Sequence, residues 1–277
     1  MTKPTNLVAT QLTAYIEGVG LIGPGFTNWQ SGREILSGLQ PYHQTKTIIP
    51  APDLLPAAER RRASDIVKIT LATSLEAIAS AGLQTENLPS VFSFSNGDGI
   101  NCHTICEMLA SEDRQISPTR FHNSVHNAAA GYWSIATETM ATSSVLCAYD
   151  GSFGAGLLDA ITQVAVDHTR CILMVSDTPY PEPMFTKRPI PDNCGIALIL
   201  APEKSLKSVA QIKLSITPDE TDKFDDSAME FLRLAIPTAR GLPLLQAIAQ
   251  LNSKQTSRRV VLDYLDETRL AIEVSAC

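Results

Sequence analysis

Apolar positions alternate with glycine along residues 14–25 (AYIEGVGLIGPG), a β-type run that predicts a strand leading into a tight turn. Over residues 29–39, Trp29, Ile35, Leu36 and Leu39 recur near helical spacing, and Gly38 and Pro41 close the helix. Pro41, Pro50, Pro52 and Pro56 break up residues 41–56 into an irregular loop. From 57 to 81, apolar or small residues at Ile66, Ile69, Thr70, Thr73, Ala77 and Ile78 predict one long amphipathic helix ended by Gly82. Residues 91–95 read as a strand, 96–99 (NGDG) as a turn, and 101–111 as a short helix. Two more apolar strands, 144–148 and 171–176, flank a helical stretch from 151 to about 167, and 195–200 adds another strand. Strands this continuously apolar, alternating with helices, predict an α/β protein whose sheet is covered on both faces.

The pattern changes after residue 200. A polar link at 217–223 is followed by helical stretches at 226–234 and 242–251, with strand candidates at 211–216, 260–265 and 270–274. Two regions are therefore expected: residues 1–200, and a small α+β region at 201–277 that packs on the first or forms an appendage.

Composition narrows the function classes. With 277 residues, 44% hydrophobic and 18% charged, the chain has enough apolar surface for a packed core, which excludes a disordered protein. A net charge of −7, with no basic run beyond Arg60, Arg61 and Arg62, excludes the electrostatic footprint of a nucleic-acid binder and gives no attraction to an anionic membrane. No apolar run approaches the ~18 to 20 residues that cross a bilayer, and the opening MTKPTNLVATQLTAY has no leader pattern, so a cytoplasmic protein is expected. The six cysteines, dispersed through the chain, read as reduced thiols.

Four stretches, in order, carry a family resemblance: YIEGVGLIGPG at 15–25 with Trp29 and ILSG at 35–38; LATSLEAIASAGL at 71–83; ISP at 116–118 with NAAAG at 127–131; and the strand, helix, strand layout of 144–176. Together they resemble the N-terminal half of a β-ketoacyl synthase, the condensing enzyme of fatty-acid and polyketide synthesis. FHNSVHNAAAGYWSI at 121–135 is similar to the short ketosynthase-like, chain-length-factor-like proteins of aryl polyene pathways. The resemblance implies a thiolase-like fold, no cofactor and no metal. It also implies pairing with a catalytic β-ketoacyl synthase, in a heterodimer or a dimer of heterodimers, that reaches an acyl carrier protein indirectly.

Departures from the family matter more than the matches. A ketosynthase sets its cysteine at a strand-to-helix turn, where the helix N-terminus lowers the thiol pKa. Counting from 127–131, that position falls on Asp150, or on Gly151 after a one-residue slip, and neither is a thiol. Asp150 reads as a helix N-cap, contributing ~0.5 to 2 kcal/mol; a carboxylate that assists malonyl decarboxylation is the competing role, opposed by charge repulsion. Cys147, three residues earlier on a strand, reads as a buried core thiol. Ser152 lacks a Gly-x-Ser-x-Gly elbow. The catalytic histidines and lysine of the family come from its C-terminal half, whereas His43, His103, His122, His126 and His168 all precede residue 169. A non-catalytic subunit is therefore implied, with residues 201–277 in place of the catalytic half.

By the same resemblance Arg120, Phe121, Val125 and Asn127 face the partner or its acyl tunnel, and Ser144, Val145, Leu146 and Cys147 form the interface strand. Phe121 and Val125, four apart, read equally as anchors of a short helix on the chain's own core. The alternative function is a compact acyl-thioester transferase or hydrolase using Ser152 or Cys147. A plain scaffold without an acyl pocket is the third. His122 with His126, and Cys102 and Cys106 with His103, are incomplete metal-ligand sets and read as ordinary polar residues.

Overall fold

The structure is a computed structural model that describes residues 11–85, 87–252 and 254–277. The opening residues 1–10, read above as carrying no leader, lie outside the described residues.

Among the described residues, eight strands form one mixed sheet: β1 (Leu12–Ile22), β2 (Ser90–Phe94), β3 (Ser143–Cys147), β4 (Cys171–Asp177), β5 (Cys194–Ala201), β6 (Ala210–Thr217), β7 (Ser257–Leu262) and β8 (Arg269–Ser275). Their order is β3-β2-β4-β5-β1-β6-β8-β7. Only β3, β2 and β4 are mutually parallel; the other neighbours are antiparallel. The helices are α1 (Trp29–Leu36), α2 (Ala57–Arg62), α3 (Asp65–Ala81), α4 (Gly99–Ala110), α5 (Pro118–His122), α6 (Ala128–Thr137), α7 (Ser152–Asp167), α8 (Met184–Lys187), α9 (Ser227–Ala235) and α10 (Leu242–Gln250).

Alternation along the central strands divides the core into two layers. In β4, Cys171, Leu173 and Val175 join a layer that also contains Leu157 of α7 and Leu245 of α10. Ile172 and Met174 point the other way, into a layer with Phe92, Ala77 of α3 and Trp133 of α6. β5 repeats the division with Ile196, Leu198 and Leu200 against Ala197 and Ile199. These strands are apolar at every position because both faces are buried. β6 is covered on one face only: Ala210, Ile212 and Leu214 are buried while Gln211, Lys213 and Ser215 are only partly so. Strands β6, β8 and β7 extend the sheet beyond β1, and α9 and α10 supply core residues to the same layer as α7.

The glycines of β1 have a packing cause. A Cβ at Gly18 would stand 2.2 Å from the carbonyl oxygen of Ala77, and one at Gly20 would stand 2.0 Å from that of Thr73. Only glycine lets the backbone of α3 lie this close to the strand.

The single helix expected over 57–81 is two. Ala63 is extended (ψ 124°) and 6% exposed, so it turns into the core between a wholly unburied α2 and the apolar α3. The side-chain amide of Asn123 donates to the carbonyl of Arg62 at 3.0 Å, replacing a helical bond lost at the break.

Candidate functional site

β3 ends at Cys147, and a 3-10 turn (Tyr149–Gly151) leads into α7. This strand-to-helix turn is the place that the resemblance assigns to a nucleophile. Tyr149 has φ 52°, a left-handed conformation, and its ring lies 3.4 Å from the guanidinium carbon of Arg188. Gly151 abuts the backbone of Tyr264: a Cβ there would sit 2.1 Å from that carbonyl oxygen.

Asp150 is not the helix cap. The residue at the N-cap of α7 is Gly151, with no side-chain capping bond. The Asp150 carboxylate turns away from the helix and takes Arg188 at 2.7 Å on one oxygen and Arg240 at 3.3 Å on the other. Arg240 reaches Asp263 at 3.4 Å, and Asp263 takes Arg233 at 2.7 Å. Arg233, only 3% exposed, holds Glu230 through two bonds of 2.7 and 2.8 Å. Three cations and three carboxylates thus form one neutral chain, which is how guanidinium groups tolerate burial. Hydrogen bonds from Arg233 hold the Glu230 carboxyl below its ordinary value near 4.5.

Arg240 is placed by a buried acid. Asp177, at the end of β4, accepts the backbone N–H and hydroxyl of Thr238 at 2.8 and 2.7 Å and the N–H of Ser95 at 2.9 Å. This pins the 3-10 turn Pro237–Gly241 to the sheet. Burial pushes the Asp177 carboxyl up against the pull of those bonds.

Neither alternative nucleophile is equipped. Ser152 is fully buried, and its hydroxyl accepts from the N–H of Ala148 at 3.2 Å and donates toward the carbonyls of Phe94 (2.8 Å) and Tyr149 (2.7 Å). Cys147, expected in the core, is exposed because among the described residues β3 pairs with β2 alone, as an edge strand. Desolvation along one side raises its thiol above the ordinary value, the opposite of activation. The open cavity of about 630 Å³ beside Asp150, floored by Tyr149, Arg240 and Asp263, is lined by no histidine.

The residues expected to face a partner divide between two places. Phe121, Val125 and Asn127 line an apolar groove of about 640 Å³ with Tyr132 and Ile135. Phe121 is 68% exposed and Val125 52%, so the reading of both as core anchors is wrong: α5 ends at His122, and Val125 lies past it. Arg120 lines a separate polar cavity instead. Of the strand residues, Val145 packs on the layer containing Phe92 and Leu146 on the opposite one, while Ser144 donates to Asp159 at 2.7 Å. His122 and His126 share no helix. Among the described residues no three His, Cys, Asp or Glu side chains are grouped to hold a metal, and no helix is long and apolar enough to cross a membrane.

Arg188, Arg233, Arg240, Glu230 and Asp263 escaped the sequence reading. They lie 38 to 113 positions from Asp150, in segments with no common motif, so no spacing links them.

Comparison with known proteins places this geometry. The profile of the β-ketoacyl synthase N-terminal domain matches residues 29–261. No curated protein sequence matches the chain. Among solved structures it is similar to the ketosynthase ApeO in complex with its chain length factor ApeC from Xenorhabdus doucetiae, at 21% identity, TM-score 0.69, over 94% of this chain and 99% of that one. It is also similar to the ishigamide ketosynthase/chain length factor (10%, TM-score 0.68, 96% and 99% covered). A type II polyketide acyl-carrier protein in complex with its ketosynthase, AntDE:AntF, matches at 11% identity and TM-score 0.73 over 97% and 100% of the two chains. The sheet and its helices are the thiolase-like fold of ketosynthases, and with most of its length matched by the family profile the chain belongs to the β-ketoacyl synthase N-terminal domain family.

Proposed function

We propose that this chain is a non-catalytic, chain-length-factor-like subunit that pairs with a catalytic β-ketoacyl synthase in polyene or polyketide elongation and completes the partner's acyl tunnel. The observation that carries this reading is Asp150, locked by Arg188 and Arg240 where the family places a thiol. A carboxylate paired with two guanidinium groups stands there in place of a thiol, and the helix behind it starts at glycine with no side-chain cap. Similarity to solved ketosynthase and chain-length-factor assemblies supports the choice of partner.

Two features of the surface suit such a partner. The edge of β3 opposite β2 has no neighbouring strand among the described residues, which suits strand addition. The groove at Phe121, Val125 and Ile135 is an apolar surface of the kind that obligate pairs bury. Catalysis by Ser152 or Cys147 is disfavoured by the buried, fully bonded hydroxyl and the raised thiol. Co-expression with a ketosynthase of the aryl polyene type, followed by size-exclusion chromatography with native mass measurement, tests the pairing. A stable complex containing both chains is expected; two separately eluting proteins would refute it.

A further inference from the structure

Helix α4 stands largely free of the core: along its 12 residues only Gly99 and Asn101 are buried, and it packs on α5. Side chains four apart on a helix share a face, with Cβ atoms about 5 to 6 Å from one another. Two such pairs lie side by side here. His103 is matched by Glu107, its Nε2 3.2 Å from the carboxylate. The pair one position earlier, Cys102 and Cys106, is a dithiol, and both sulfurs are free and exposed. The remaining cysteines make no such pair: Cys171 and Cys194 are buried, Cys147 lies on β3, and Cys277 is the last residue.

Two thiols so placed suit some ligands and exclude others. Burial, and after it the Cys106 thiol and the Asp98 carboxylate, raise the Cys102 thiol above its ordinary value. Cys102 is therefore a proton-bearing thiol rather than a thiolate nucleophile, and an ion that binds it must displace the proton. Structural zinc asks for four donors, and among the described residues no third His, Cys, Asp or Glu is grouped with this pair. A soft monovalent ion such as copper(I) prefers thiolate sulfur and is satisfied by two. In a linear sulfur–metal–sulfur unit the sulfurs stand about 4.6 Å apart, twice a metal–thiolate bond. Side chains four apart on an intact helix cover that span.

We propose that Cys102 and Cys106 bind one cation of the copper(I) class as a two-coordinate bis-thiolate on the exposed face of α4. Two S–H bonds break, two sulfur–metal bonds form, and both protons pass to solvent. The metal keeps its oxidation state, so no oxidant or reductant takes part. His103 is engaged with the Glu107 carboxylate and stays outside the coordination sphere. The shortage of donors that rules the pair out for zinc is what selects a two-coordinate ion.

Competition for copper(I) between the intact, reduced chain and a chromophoric copper(I) chelator, under anaerobic conditions, tests this. One ion per chain should pass from the chelator to the wild-type protein. Cys102→Ser and Cys106→Ser should each lose it, whereas Cys277→Ser should keep it. X-ray absorption at the copper edge of the loaded wild-type chain reads the donors without any variant, and two sulfurs are expected. No transfer to the wild-type chain overturns the proposal, as does transfer undiminished in either of the first two variants, or a coordination shell containing a nitrogen or a third sulfur. Zinc(II), offered from a chelator of its own, should stay with that chelator; zinc held as tightly as copper(I) would contradict a two-donor site. These outcomes are independent of whether the chain pairs with a ketosynthase.

Discussion

At Asp150 a carboxylate between a strand and a helix has two ways to be satisfied, and the structure takes the one invisible to local sequence. An N-cap needs only the next three residues, so it is what a sequence reading finds; the salt links come from Arg188 and Arg240, 38 and 90 positions away. The consequence for mutation reverses. As a cap, Asp150→Asn would be neutral, since asparagine caps as well as aspartate. As the bridge between two arginines whose side chains are 15% and 16% exposed, Asp150→Asn leaves both cations facing a neutral amide. It should cost about 1 to 3 kcal/mol in urea denaturation; an unchanged midpoint would return Asp150 to the surface. Glu230 gives the network a pH signature. Its folded pKa is depressed by Arg233, so its contribution is present above the ordinary value near 4.5 and is lost as pH falls through the folded value. Glu230→Gln should therefore lower stability at neutral pH and flatten the loss of stability that the wild-type chain shows on acidification below about pH 4.5.

At the level of elements, strands and helix periodicity were legible because burial on both faces of β4 and β5 writes continuous apolar runs, and burial on one face of β6 writes alternation. The break between α2 and α3 was not, because it depends on Ala63 docking in the core and on Asn123, 61 residues away, holding the carbonyl of Arg62. Edge status was also illegible: Cys147 lies in an apolar run, yet among the described residues no strand covers β3 on its outer side. This changes how pairing is tested. Val145 packs on the chain's own core, so Val145→Asp would damage the fold as well as any interface. Phe121, 68% exposed, separates the two effects. Phe121→Asp should leave denaturation of the isolated chain within about 0.5 kcal/mol of wild type and abolish co-purification with a ketosynthase; retained co-purification would remove the groove from the interface. In a reconstituted pair, Phe121→Ala should shift products toward longer chains if the groove bounds the tunnel, and unchanged product lengths would show that it does not.

At the scale of the whole molecule, residues 201–277 complete the sheet that residues 1–200 begin, and the same segment delivers Arg233, Arg240 and Asp263 to the turn at Asp150. Family membership was legible from four ordered stretches, whereas this joining of distant segments exists only in three dimensions. On the proposed function, a site filled in this way belongs to a subunit whose chemistry is done elsewhere. The claim is tested most directly by incubating the chain, paired with a catalytic ketosynthase, with an acyl-carrier thioester and measuring the intact mass of each subunit. The acyl mass should appear on the ketosynthase alone, and its appearance on any side chain of this protein would contradict the account.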